Sequence, residues 1–212
     1  MSVIVFDVET TGLPKRRNRP FTDFENWPHI VQLSWIVYKD GCIESINDHI
    51  IKIDNNIPEE SIKIHGITNE VMRSGENIVD VLMKFKQDLS HSKMIVAHNI
   101  DFDTSIISVE LLRNNLRNVI YFYRGIKYCT MHSTKKMFKR WPKLSKLHEK
   151  LFKKTPLNLH NSLIDVYVCF RCFCQYYHGY DPVYDTTVVN SNDANIMEFR
   201  NMFKKSILNS KR

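Results

Sequence analysis

Phe6-Asp7-Val8-Glu9-Thr10-Thr11-Gly12-Leu13 ends a short apolar run with two carboxylates and a turn. Val3 to Val8 reads as a strand rich in Val, Ile and Phe, closed by a Thr-Thr-Gly break. Side chains alternate faces along a strand, so Asp7 and Glu9 project from the same face, about 6.6 Å apart at roughly 3.3 Å per residue. At an effective dielectric near 20, two like charges at that spacing cost on the order of 2.5 kcal/mol. A divalent cation that prefers hard oxygen ligands, such as magnesium, manganese or calcium, would turn that cost into binding energy. A single D-x-E pair is also read as a solvated acidic strand end beside a tight turn. Further carboxylates downstream must decide between the two.

The chain has 212 residues, 43% of them hydrophobic and 25% charged, which suits one domain able to bury a sizeable core. No apolar run approaches the length of a membrane span, and Met1-Ser2-Val3 lacks the basic start of a secretory signal. Five cysteines, without the spacing of a small disulfide scaffold, read as reduced thiols. An intracellular location, cytoplasmic or nuclear, is the expectation, with no membrane association. The formal charge of +7 makes a polyanionic partner plausible.

After the first strand, Pro14 to about His29 is a polar, basic loop. Ile30 to Tyr38 reads as a second strand, and Lys39-Asp40-Gly41 as a hairpin turn into a third, about Cys42 to Ile53. Short helical turns around His65-Gly66-Ile67-Thr68 precede a helix whose apolar residues Val79, Leu82, Phe85 and Leu89 recur at helical spacing. Met94 to Ala97 is a short buried strand, Asp101 to Leu116 a helix, and Ile126 to Thr130 a fifth strand. Ser162 to Tyr177 is a strongly apolar helix. A hairpin series followed by alternating helix and strand predicts an α/β fold, a mixed sheet covered by helices. Residues 1-180 form the main domain, and 181-212 a C-terminal extension with a loop and a basic helix or tail.

Two motifs answer the first. His98-Asn99-Ile100-Asp101-Phe102-Asp103 sits where the short strand hands over to a helix, placing Asp103 near the helix's first turn at the sheet's end. Helix capping or dipole stabilisation is the plainer role for either aspartate. His160-Asn161-Ser162-Leu163-Ile164-Asp165 repeats the arrangement, with Ser162 and Asp165 spaced as a capping-box-like pair. His160 and Asp165 lie about 140° apart around an ideal helix, so they face one target only if His160 precedes the helix in a loop. The Asn161-Ser162 capping signal puts it there.

The three motifs F-D-V-E-T-T-G-L, H-N-I-D-F-D and H-N-S-L-I-D, in this order, resemble those of the DEDDh 3′-5′ exonuclease family. His65-Gly66-Ile67-Thr68 and Lys143-Leu144-Ser145-Lys146-Leu147 resemble connecting segments of the same family, so that only the chain after about Gly179 is uncovered. The resemblance implies a ribonuclease-H-like fold with a mixed five-stranded sheet. It carries four metal-binding acids onto Asp7, Glu9, Asp103 and Asp165, and a general base onto His160. Asn161 stands where a sister group has tyrosine, which argues against that group. Two Mg2+ ions, with Mn2+ able to substitute, are the implied cofactors. By the same resemblance Asp7 bridges both ions, Glu9 and Asp165 hold the nucleophile-side ion, and Asp103 supports the other through water. Thr10, Thr11, Gly12 and Leu13, with Asn99, correspond to the family's cradle for the terminal nucleotide. The implied activity releases nucleoside monophosphates from DNA or RNA 3′ ends, with single-stranded nucleic acid as substrate and a polymerase or other replication protein as a candidate partner.

Between Lys135 and Lys154, nine basic residues face Glu149 alone, a local excess of +8 that leaves −1 for the remainder of a chain at +7. Phe138, Trp141, Leu144, Leu147, Leu151 and Phe152 interleave with them at near-helical spacing, interrupted at Trp141-Pro142. Two short helices with basic outer faces follow; the face is either merely solvated or, with Lys135, Lys136, Lys139 and Arg140, the expected contact to a nucleic-acid backbone. A second cluster, Lys15, Arg16, Arg17 and Arg19, is a localisation signal or a backbone-gripping loop. Cys169, Cys172 and Cys174 lack a second paired cluster and lie in an apolar helix, so they read as core residues. The rival from another class is a nucleic-acid-binding module on the same fold that has lost turnover. Intact acids at every motif position weigh against it.

Overall fold

The computed structural model describes residues 2–16, 18–185 and 193–208. Arg17 of the first basic cluster, and residues 186–192 and 209–212 of the C-terminal extension, lie outside the described residues.

Strand β1 (Ser2–Thr10) is the centre of a five-stranded sheet of order β3-β2-β1-β4-β5, with β2 at Ile30–Lys39, β3 at Cys42–Ile50, β4 at Met94–Ala97 and β5 at Ile126–Cys129. β1 pairs antiparallel with β2, and β2 with β3 through the Asp40-Gly41 turn, while β4 and β5 run parallel to β1. The sheet is mixed, as its pattern of hairpins and then crossovers requires. β2 is buried along its whole length except Lys39. Both of its faces are covered, so its sequence is a nearly continuous apolar run rather than an alternating one.

Period-2 alternation along β1 sorts the core into two layers. Val3 and Val5 face helix α8 (Ser162–Phe173), which buries Val166, Phe170 and Phe173 against them. Ile4, Phe6 and Val8 face α3 (Ile78–His91) and α4 (Ile100–Arg113), through Leu82, Phe85, Ile107 and Leu111. A fully buried side chain of this size stabilises by about 1.5–3 kcal/mol. The smaller helices are α1 (Glu59–His65), α2 (Asn69–Arg73), α5 (Val119–Phe122), α6 (Thr130–Ser133) and α7 (Leu144–Phe152).

Two expectations need correction. The first of the two basic helices is only a 3₁₀ turn, Lys135–Met137, after which Phe138 is already extended; the chain then runs to Pro142, which disfavours helix in the residue before it. β3 ends at Ile50 rather than Ile53. Of the helix or tail expected at the C-terminal end, the structure has a helix: α9 (Ala194–Met202) and the π turn after it bury Ile196, Phe199, Phe203 and Ile207 in the α8 layer. The same segment covers the sheet edge, since Asp193 accepts from the Ile43 N–H at 2.9 Å and Asn195 donates to the Ile43 carbonyl at 2.7 Å. Both β3 groups would otherwise be open to pairing with another strand.

Candidate active site

Asp7 and Glu9 leave β1 toward α8, on the face expected from the strand period. Across β2 they stand opposite Ser34 and Gln32, and the register slips between Glu9 and Thr10. A bulge at that point ends the regular ladder beside the acids and re-aims the chain into the turn. Parallel pairing of Val5 with Val96 brings the carboxyl end of β4, and so His98 and Asn99, level with Asp7.

The start of α8 is pinned directly over these strands. Ser162 donates its hydroxyl to the Asp7 carbonyl at 2.7 Å, and its N–H to Gln32 Oε1 at 3.1 Å. Gln32 passes the connection on, donating to Asp48 at 2.8 Å, where Ser34 also donates at 2.7 Å. Gln32, Ser34 and Ser162 are all buried, so each unmade bond would carry a desolvation cost of about 1–3 kcal/mol. Of these groups only Ser162 had a role read from the sequence, as a capping partner of Asp165 rather than as a tie to β1; Gln32, Ser34 and Asp48 had none. The only trace there is a pair of polar residues, Gln32 and Ser34, inside an apolar strand.

With α8 so placed, Asp165 joins the two strand acids. Ligand oxygens of Asp7, Glu9 and Asp165 lie within 4.8 Å of one another, and all three residues are partly buried. The expected pairing of Ser162 with Asp165 is replaced by another. Asn161 caps α8 by accepting from the Ile164 N–H, and Asp165 accepts from the His160 N–H at 3.2 Å. His160 therefore precedes α8 in the loop, at a positive φ of 70°, with its side chain exposed.

Asp103, in the first turn of α4, is buried and stands outside that trio. Its carboxylate accepts from the Val8 N–H, on a stretch of β1 that has run past its pairing with β4. Asp103 is still close enough to raise the pKa of Asp7 and Glu9 by repulsion. Asp101, by contrast, points away and is paired only loosely with His132, at 3.9 Å and 77% side-chain exposure.

The electrostatics follow from this crowding. Burial first, and then the charges of Asp103, Asp165 and Glu9, hold the Asp7 carboxyl well above the usual carboxylate range. Burial with Asp165 and Asp103 pushes Glu9 up to about 8, and burial raises Asp103 and Asp165 to about 7. A site of hard oxygen donors that cannot comfortably hold its own negative charge fits divalent cations of the magnesium type. Asp7, Glu9 and Asp165 form the group suited to direct ligation.

The turn beyond the acids is fixed from both sides. Thr11 N–H donates to the His29 carbonyl, His29 N–H to Thr11 Oγ1, and Thr10 Oγ1 to the Gly12 carbonyl at 2.7 Å. Gly12 adopts φ 151°, and a Cβ there would meet only Ser61 Oγ at 3.9 Å, so backbone conformation rather than space calls for glycine. Leu13 is held out at the tip, 79% exposed, and Asn99 is exposed at the start of α4. The His65 ring, from the His65-Gly66-Ile67-Thr68 segment, is buried against the Thr10 backbone. An open cavity of about 1010 Å³ lies behind this turn, lined by Leu13, Trp27 and Arg113, and none of the four acids enters it.

Lys135, Lys136, Lys139 and Arg140 are exposed between α6 and α7. Cys169, Cys172 and Cys174 are free, buried thiols, as their place in an apolar helix predicts.

A mixed sheet with acids gathered at the carboxyl end of its central strand, across which the last helix of the main layer is pinned, is a ribonuclease-H-like fold. Residues 4–173 match the family model described as Exonuclease, and the chain belongs to that family. DNA polymerase III subunit epsilon of Buchnera aphidicola subsp. Acyrthosiphon pisum (strain APS) is 25% identical over 195 residues, 88% of this chain and 77% of that protein. Among solved structures, E. coli exonuclease I in complex with a dT13 oligonucleotide superposes with a TM-score of 0.67 at 17% identity, over 84% of this chain and 42% of that one. Exonuclease X in complex with 5′ overhanging duplex DNA gives a TM-score of 0.55 at 21% identity, over 84% of this chain and 93% of that one. This chain thus spans about two fifths of the exonuclease I chain. No described helix is long and apolar enough to cross a membrane.

Proposed function

We propose that this chain is a magnesium-dependent 3′-5′ exonuclease that removes nucleoside monophosphates one at a time from single-stranded DNA or RNA ends. The observation that carries this reading is the meeting of Asp7, Glu9 and Asp165 within 4.8 Å beside the turn at Gly12. Two Mg2+ ions, for which Mn2+ can substitute, fit the acids; when bound they supply positive charge to the attacking water and the departing 3′ oxygen. Asp7, Glu9 and Asp165 would hold the ions directly, with Asp7 shared between them, and Asp103 would support them from outside that trio through water. His160, on the loop beside Asp165, takes the proton of the attacking water as its oxygen bonds to phosphorus. The bond from phosphorus to the 3′ oxygen breaks, that oxygen takes a proton from solvent water, and the shortened strand leaves with a 3′ hydroxyl. Thr10, Thr11, Gly12, Leu13 and Asn99 cradle the terminal nucleotide, while Lys135, Lys136, Lys139 and Arg140 hold phosphates of the strand. Five free thiols suit a reducing intracellular compartment, cytoplasmic or nuclear, and the epsilon-subunit relative makes a polymerase a reasonable partner.

The test is incubation of 5′-labelled single-stranded DNA and RNA with the protein and Mg2+, Mn2+ or chelator, beside Asp7→Asn. Metal-dependent laddering from the 3′ end, absent in the variant, is the expected result. Strands bound but never shortened would leave a binding module and overturn the assignment of the acids.

A further inference from the structure

Trp141 is a large aromatic side chain left in the open, with 47% of its surface exposed. Its surroundings hold it there on purpose-built contacts rather than chance packing. The Lys135 ammonium lies 3.8 Å from the centre of its ring, and the His132 ring lies beside it at 4.7 Å. The backbone is anchored through the next residue: the carbonyl of Pro142 accepts from His98 Nε2 at 3.0 Å. His98 is itself fixed at its other nitrogen by Thr130 Oγ1 at 2.9 Å, and burial keeps the ring neutral, with a pKa lowered to about 4.

That anchor matters because of where His98 stands. It follows Val96, the partner of Val5, by two residues, just past the end of β4 and beside the strand that carries Asp7. Trp141 is therefore tied, through Pro142 and His98, to the end of β4 where Asn99 opens α4. The chemistry around it is one-sided. Lys135, Lys136, Lys139, Arg140 and Lys143 are all exposed, and among the described residues none of them forms an ion pair. An apolar protein surface would not be served by five unpaired cations around one tryptophan. A polyanion that also carries flat aromatic groups would be, and single-stranded nucleic acid combines the two.

We propose that Trp141 is a stacking platform for one base of the single strand upstream of the scissile linkage, with the surrounding cations gripping the phosphates on either side. The proposal deepens the exonuclease reading and rests on it for the direction in which the strand leaves the acids. In the free protein the Lys135 ammonium covers the ring; as a strand arrives it moves to a phosphate and a base takes its place. Because every base has a π face, the platform adds affinity for single strands without selecting sequence. Duplex bases are already stacked and cannot use it.

The experiment is an abasic scan read as binding in EDTA, where turnover is absent. A 5′-fluorescein oligothymidylate series, each member lacking one base, is titrated with the full chain, Trp141→Ala and Trp141→Phe by fluorescence anisotropy. Circular dichroism checks that each variant is folded. The wild-type chain should show one upstream position where losing the base weakens binding roughly tenfold, the effect of an aromatic–base stack. Trp141→Ala should bind the intact strand weaker by about the same factor and be indifferent to the base at that position, and Trp141→Phe should restore most of the sensitivity. A flat wild-type profile, or identical profiles in wild type and Trp141→Ala, overturns the proposal. So does a Trp141→Ala loss that keeps the position's sensitivity, which would make the ring a brace for its loop. Because binding is read without metal, a protein that fails to shorten strands but keeps the sensitive position refutes the exonuclease reading and leaves the platform standing.

Discussion

Replacing Asp165 with asparagine should abolish nuclease activity and yet stabilise the metal-free protein at alkaline pH. Asp7, Glu9 and Asp165 offer oxygens within 4.8 Å of one another. At that separation and an effective dielectric near 20, each ionised pair costs about 3.5 kcal/mol. Asp165 takes part in two of the three pairs, so full ionisation would cost the fold about 7 kcal/mol through this residue. The chain escapes part of that cost by retaining protons, with Asp165 raised to about 7 and Glu9 to about 8. A carboxyl whose pKa is higher folded than unfolded binds more protons when folded, so stability falls as pH rises from about 4 through about 7. Integrated over that interval, Asp165 costs about 4 kcal/mol at pH 8.5, and solvent access at a partly exposed site reduces this to about 2 kcal/mol. Asparagine keeps an oxygen for the His160 N–H and carries no charge. Asp165→Asn in EDTA at pH 8.5 should therefore melt about 4–8 °C above wild type, with the gap narrowing toward pH 5. Mg2+ should then raise the wild-type midpoint and move the variant much less. Circular dichroism melts at the two pH values, with and without Mg2+, make the comparison. A variant that melts below wild type at pH 8.5 in EDTA, or equal stabilisation of both by Mg2+, would refute the reasoning.

Ser162→Ala removes the bond that sets α8 over Asp7; it should cost about 1 kcal/mol of stability and lower kcat about tenfold with little change in KM. An unaltered kcat would show that α8 is positioned without it. His160→Gln should lower kcat by about 10²–10⁴ with little change in strand binding, and an unchanged kcat would remove His160 from proton transfer. Neutralising Lys135, Lys136, Lys139 and Arg140 together should reduce the slope of log affinity against log salt by about 3, at roughly 0.7 per single-strand phosphate; the same slope as wild type would make that face a bystander.

The strands around the site were legible because each is short, apolar and closed by a turn or a helix signal. Met94–Ala97 is such a run, and so is Val3 to Val8 with its Thr-Thr-Gly break. The acids were legible as three ordered motifs, and the loop position of His160 followed from the capping residues after it. Gln32, Ser34 and Asp48 were not, because their roles exist only once β1–β2 register puts Gln32 opposite Glu9 and α8 lands on both. Nor could the separation of Asp103 from the other three be read, since it depends on one backbone N–H left unpaired beyond the end of β4. The C-terminal segment, expected as a basic helix or tail, is a helix, but where it docks was not legible: Ile196, Phe199, Phe203 and Ile207 make no pattern that names the α8 layer as their partner.

The pinning of α8 over β1 also sets when the acid cluster can form. Asp7 and Glu9 are joined by Asp165 only after the intervening chain is made. At about 5–20 residues per second, the stretch from Asp7 to Asp165 takes roughly 8 to 32 s to synthesise. Throughout that interval β1 carries two of the three acids, and a fragment that ends before α8 lacks both Asp165 and the Ser162 hydroxyl that holds the Asp7 carbonyl. The cluster is completed only when the last layer closes over the sheet, so it is a product of tertiary folding and never of β1 alone.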